Sequence, residues 1–177
     1  MPEKDEGPVT DGIRNAIESA CAYLSAHRDQ ARYTDSLARA RVEEGIRVRV
    51  EGPTGEVLIT DMPGGVGGGG SAPSPGWYLR AAVAACVTSL ALMRAAQLGM
   101  QGLACELTVD SESDDYGILG LDPSVPAGPL TMRINLQVSA AGDGSDSVAE
   151  VAQWAIDHCP VSDAIKRAVP IRIEINA

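Results

Sequence analysis

Phenylalanine is absent from the 177 residues, and the aromatic complement is only four tyrosines and two tryptophans. A core must therefore be built from Ala, Val, Leu, Ile and Met, which calls for close helix contacts of the kind that often accompany oligomerisation. Basic residues are also scarce. The formal net charge is −10, and residues 51–177 carry 6 basic against 15 acidic side chains. Without a basic face to displace counterions or meet lipid charge, nucleic acid and an anionic membrane surface are excluded as main partners. The N-terminal MPEKDEGPVTDG has neither a cationic start nor an apolar leader core, so a cytoplasmic location is expected. The longest uncharged apolar run, Ala81–Met93, is 13 residues between Arg80 and Arg94, short of the roughly 20 a membrane span needs. The four cysteines, Cys21, Cys86, Cys105 and Cys159, contain no CxxC pair. Zinc-ligand spacing is therefore missing, and a reducing compartment would disfavour structural disulfides.

What is present suffices for one well-cored domain, since 45% of the chain is hydrophobic. From Asp11, a candidate N-cap, Ile13, Ile17, Ala20, Cys21 and Leu24 recur on one helical face, which predicts a helix over 11–31. The following DQARYTDSLARARVEEG keeps good helix formers and predicts a second short helix ending near Gly45. GIRVRVEG and EVLITD, joined across Gly52-Pro53-Thr54-Gly55, read as a β-hairpin. MPGGVGGGGSAPSP is a loop of six glycines and three prolines. Behind it, Ser74 as N-cap and Pro75 in the first turn open a long apolar helix that runs to Gly99 and should be wrapped by other structure.

LACELTVDSES and TMRINLQVSAA alternate as strands. Ser147 to Glu150 fits a capping box for a helix with Val148, Val151, Ala152, Ala155, Ile156 and Cys159 on one face. Pro160 breaks that register, SDAIKRA adds a helical turn, and PIRIEIN is expected to close the chain as a strand. The order gives an α+β fold, not alternating βαβ units. Residues 1–44 form an N-terminal helical arm, and 45–177 form the main domain.

Gly65 to Gly70 matches GxGxxG, the pattern of a nucleotide-binding oxidoreductase. However, no helix starts at its third glycine and no second strand follows where the ribose-binding acid should stand. A loop that lets backbone approach the helix entrance is the better reading, and no cofactor is expected. Cys86, at the middle of the long helix, has the ordinary role of a small hydrophobe as its bland explanation. Cys159, at a helix end between His158 and Pro160, is harder to explain by packing. Two cysteines on different helices could serve as nucleophile and resolver of a reversible thiol site, although spacing alone does not place them together. Cys21 and Cys105 are read as packing residues, and His27 and His158 as structural.

GGGGSAPSPGWYLRAAVAACVTSLALM followed by HCPVSDAIKRAVPIRIEI resembles the OsmC/Ohr family. Its members carry a Gly-rich loop, a Pro-initiated central helix with a cysteine in an AAC context, and a later CP cysteine. The resemblance covers about residues 45–177. It implies an intertwined α+β homodimer with sheets packed around long central helices and both cysteines at the dimer interface. It further implies reduction of an organic hydroperoxide, with Cys86 as the attacking thiolate, Cys159 as the resolving thiol, and a dithiol reductant reopening the disulfide. Neither metal nor cofactor is implied. The sequence departs from the family in one respect. Efficient Ohr-type members have a glutamate in an NPE segment ten positions before the cysteine, paired with an arginine, whereas Ser74-Pro75-Gly76 stands here. Arg47, Arg49 and Arg80 are possible substitutes, each with a solvated surface role as its plainer reading. The alternative function is therefore a small-molecule-binding or otherwise non-peroxidase homodimer of the same fold.

Overall fold

The computed structural model describes residues 7–140, 142 and 144–176. These divide into two compact units, one formed by residues 21–81 and the other by the chain up to Ala20 together with Ala82 onwards. The boundaries fall within two helices, α1 (Gly7–Ala26) and α2 (Pro75–Leu98).

The unit of residues 21–81 is built on an antiparallel sheet of β1 (Arg39–Glu44), β2 (Arg47–Glu51) and β3 (Val57–Thr60), in that order. The β2–β3 hairpin is as expected, with Val50 opposite Leu58. The second short helix of the arm is not formed. Residues 39–44 are instead strand β1, with Val42 opposite Val48 and Arg41 opposite Arg49. Pairing overrides the helical preference of RARVEE, as tertiary context commonly does. The like charges of Arg41 and Arg49 are relieved by Glu51, 2.8 Å from Arg49, and by Glu43 at 3.8 Å. The first helix also ends earlier than expected, at Ala26, because His27 leaves helical geometry before a single 3-10 turn at Arg28–Ala31.

The second unit is organised on α2. Its buried side chains Val83, Val87, Ala91 and Ala95 repeat every four residues, which lays one stripe into the core. The remaining faces are not wrapped, since Leu92, Met93 and Leu98 are exposed. Although α2 is long and apolar enough to cross a membrane by length and composition, its buried stripe makes it a core helix. Gly99, at φ +76°, ends it in the left-handed conformation that glycine tolerates, and Met100 donates back to Ala95. Arg14 of α1 places its guanidinium on the same end, donating to the Ala96 carbonyl at 2.8 Å, where a cation complements the helix dipole.

Strands β4 (Ala104–Glu112) and β5 (Thr131–Ser139) pair antiparallel over nine residues, with a helical turn, α3 (Asp115–Ile118), in the connection. Alternate burial turns Cys105, Leu107 and Val109, opposite Val138, Leu136 and Ile134, toward the core. Helix α4 (Ser145–Asp157) adds Val151 and Ala155 to it. Its N-cap is Gly144 without a side-chain bond, so the capping box expected from Ser147 is not used and Ser147 lies inside the first turn. Helix α5 (Pro160–Arg167) follows directly. The closing strand is not formed. Residues 168–176 keep their sequence alternation but form no ladder with any described residue, and Ile171, Ile173 and Ile175 are 83%, 77% and 87% exposed.

Candidate active site

Cys159 stands between α4 and α5 as the N-cap of α5, with φ −72° and ψ 109°, and Pro160 is the first helical residue. Proline at that position has no amide proton to leave unsatisfied, and it holds the preceding residue in extended geometry. The Sγ of Cys159 then takes the place usually filled by a serine or aspartate oxygen and accepts the Ser162 amide at 3.4 Å. The residue is fully buried. The Ser162 hydroxyl donates to the Cys159 carbonyl at 3.2 Å.

Cys86, half-buried on α2, packs against the same core cluster that contains Cys159. The two thiols act on each other's ionisation, and the Val161 amide favours the charged form of both. The structure thus brings together the two cysteines that spacing alone could not. Their electrostatics differ. Burial pushes the Cys86 thiol up, and its bond to Cys159 pushes it further, against the single amide of Val161. Burial acts upward on Cys159 as well, but the amide and hydroxyl of Ser162, the Cys86 thiol and the Val161 amide outweigh it and hold its ionisation below the usual thiol range.

The other cysteines lie outside this pair. Cys105 is half-buried on the inward face of β4 against the core cluster and is a packing residue as expected. Cys21 is exposed on α1, so it does not pack. His158 stacks on Trp154, and the Trp154 carbonyl lies 2.8 Å from its Nδ1, a structural role. Arg47 is engaged by Glu43 at 2.9 Å and by Ser71, and Arg49 by Glu51 and Glu43, all within their own unit. Sequence reasoning missed Val161 and Ser162. The available signal was Cys-Pro-Val-Ser itself, which has the same cap-then-proline order as Ser74-Pro75.

The glycine loop is wrapped on a carboxylate. Asp61, 3% exposed, accepts the amides of Met62, Gly69 and Ser71 at 2.8, 3.3 and 2.9 Å and the Ser71 hydroxyl at 2.7 Å. The amides of Gly67, Gly68 and Gly70 donate to Gly64, Pro63 and Met62 carbonyls. The loop therefore encloses a carboxylate and leaves none of these donors for an anion. Gly68 is required sterically, because a Cβ there would lie 1.9 Å from the Met62 carbonyl oxygen. Among the described residues no cluster of His, Cys, Asp and Glu could hold a metal ion.

The family model that matches is that of the OsmC-like proteins, over residues 68–174. Among curated proteins nothing matches. Solved structures share the fold at low identity. An organic hydroperoxide resistance protein OsmC from Legionella pneumophila is 22% identical, with a TM-score of 0.55 over 76% of this chain and 91% of its own. An OsmC-like protein from Mycoplasma pneumoniae is 13% identical, with a TM-score of 0.59 over 82% and 96%. An organic hydroperoxide resistance protein from Elizabethkingia anophelis is 16% identical, with a TM-score of 0.55 over 76% and 90%.

Proposed function

Because this chain belongs to the OsmC-like family, we propose that it is a thiol-dependent peroxidase that reduces organic hydroperoxides through Cys86 and Cys159. The observation that carries the proposal is that Cys86 packs against the core cluster containing the buried Cys159. In the reaction, a thiolate attacks the terminal oxygen of ROOH, an S–O bond forms as the O–O bond breaks, and the alkoxide leaves to take up a proton as the alcohol. The second sulfur then attacks the sulfenic sulfur, forming the disulfide and releasing hydroxide. The pair has given two electrons to the peroxide. A dithiol reductant restores both thiols by exchange and leaves as its own disulfide. By resemblance, Cys86 attacks and Cys159 resolves.

The working form is taken to be a homodimer in the cytoplasm, where dithiol reductants are at hand. In support, the described residues bury nine hydrophobic side chains and leave 22 large ones exposed, the three tail isoleucines among them. A surface that apolar calls for a partner, and a second copy of the chain is the simplest one. Residues 45–177 are taken as the family domain and residues 1–44 as an extension whose strand β1 completes the first sheet.

Gly76 in the place of the family glutamate favours a second reading, a binding homodimer that keeps the cysteine pair without turnover. Mixing purified protein with cumene hydroperoxide and a dithiol reductant separates the two. Consumption that is lost in Cys86→Ser supports the peroxidase, and consumption no greater than in that variant leaves the binding module.

A further inference from the structure

Resting on the peroxidase reading, we propose that Cys159 is more than a resolving thiol: it holds the resting negative charge of the pair and acts as the base that deprotonates Cys86. The family glutamate that would otherwise support thiolate formation has no counterpart at Gly76, so activation has to come from elsewhere. Cys159 has the surroundings of a stabilised anion. It is the N-cap of α5, its sulfur accepts the Ser162 amide at 3.4 Å, and the Ser162 hydroxyl lies on its carbonyl at 3.2 Å. Cys86 has one amide and the thiolate-to-be beside it. Exposure divides the roles in the same way. Cys159 is sealed from solvent and suited to hold a proton, whereas Cys86 keeps partial exposure through which it can meet a substrate.

Charged neighbours are occupied elsewhere. On α5, Asp163 pairs with Arg167 at 2.7 Å. On α4, Asp157 accepts from Gln153, and His158 lies against Trp154. On α2, Arg94 pairs with Glu150 at 2.6 Å, and on the sheet, Arg133 pairs with Asp110. These charged side chains of the same unit are thus engaged with one another rather than with either sulfur.

The step balances with a single proton moved twice. Cys86 passes its proton to the Cys159 thiolate and attacks the terminal peroxide oxygen. An S–O bond forms, the O–O bond breaks, and the departing alkoxide takes the proton from Cys159. Cys159, a thiolate again, attacks the Cys86 sulfenic sulfur, and hydroxide leaves as the disulfide forms. One hydroperoxide and the monoanionic pair give one alcohol, one hydroxide and one disulfide.

The test is a single turnover of the reduced full-length protein against one equivalent of cumene hydroperoxide, with thiolate absorbance titrated separately in the absence of peroxide. A purely resolving cysteine is not needed for the first oxidation. On our account, Cys159→Ser slows the first oxidation of Cys86 on the order of 100-fold, the scale of a lost general base. The titration should show a wild-type ionisation below the usual thiol range that disappears in Cys159→Ser and persists, moved to higher pH, in Cys86→Ser. Wild-type speed of Cys86 oxidation in Cys159→Ser, or retention of the low ionisation there, overturns the proposal. Serine is itself a favoured N-cap, so the variant should fold. Should it not, Ser162→Ala must move the low ionisation upward, and an unmoved ionisation overturns the proposal equally. If the wild type consumes no hydroperoxide, the peroxidase reading and its base fall together, while the titration still decides where the charge resides.

Discussion

Cys86 at the middle of α2 and Cys159 at the start of α5, 73 positions apart in sequence, pack in one core cluster while their ionisations are pushed in opposite directions. Two sulfurs coupled this way lose their protons in separate steps that belong to the pair.

The pH dependence of turnover follows from that coupling. The first proton leaves below the usual thiol range and the second above it, so the pair is monoanionic across the interval between them. The rate of hydroperoxide consumption should rise with pH through the first ionisation and then level off. Ser162→Ala removes a donor from Cys159 and should carry this rise to higher pH, with the high-pH rate kept. The check is a stopped-flow rate profile of both proteins.

Asp61 gives a second pH dependence, in stability. Its carboxyl is lowered from 3.8 to about 2 by the Ser71 amide and hydroxyl first, and then by the Met62 and Gly69 amides against opposing burial. A lowered folded-state value means stability that is fully present above pH 3.8 and lost as pH falls toward about 2. Asp61→Asn cannot accept on both sides of its side chain. It should lower the melting temperature by several degrees at pH 7 and flatten the acid limb, as measured by circular dichroism melts across pH.

Much of this architecture was legible because its signals are local. Ser74-Pro75 and Gly99 mark both ends of α2 by cap and backbone chemistry, and the alternation in β4 and β5 survives unchanged as inward and outward faces. Strand β1 was not legible, because RARVEE favours a helix in isolation and only the ladder to β2 makes it a strand. The tail around Ile171–Ile175 shows the reverse, a strand pattern with nothing among the described residues paired to it. At the site, the two cysteines could be named from motif resemblance, but their opposed ionisations depend on amides of α5 that no spacing rule orients.

Loop closure over Asp61 rests on one glycine. With a Cβ at Gly68 only 1.9 Å from the Met62 carbonyl oxygen, Gly68→Ala should destabilise the protein by about 1–3 kcal/mol, the range for forced overpacking. Gly76→Glu should do the opposite. Its Cβ would have no neighbour nearer than 3.9 Å, and a carboxylate in the first turn of α2 complements the helix dipole. Relief of a helical glycine adds about 0.5–1 kcal/mol. Urea unfolding midpoints distinguish the two variants.

Met100, 4% exposed beyond the end of α2, closes the core cluster that holds both site cysteines. Met100→Ala should lose about 2–5 kcal/mol of stability, measurable by urea unfolding.

The most direct measurement is the stoichiometry and mapping of oxidation. Reduced protein given one equivalent of cumene hydroperoxide should lose two thiols per peroxide consumed, and a digest should yield a single new disulfide joining the Cys86 and Cys159 peptides. A disulfide to Cys21 or Cys105 instead, or peroxide consumption that persists undiminished in Cys86→Ser, would contradict the account.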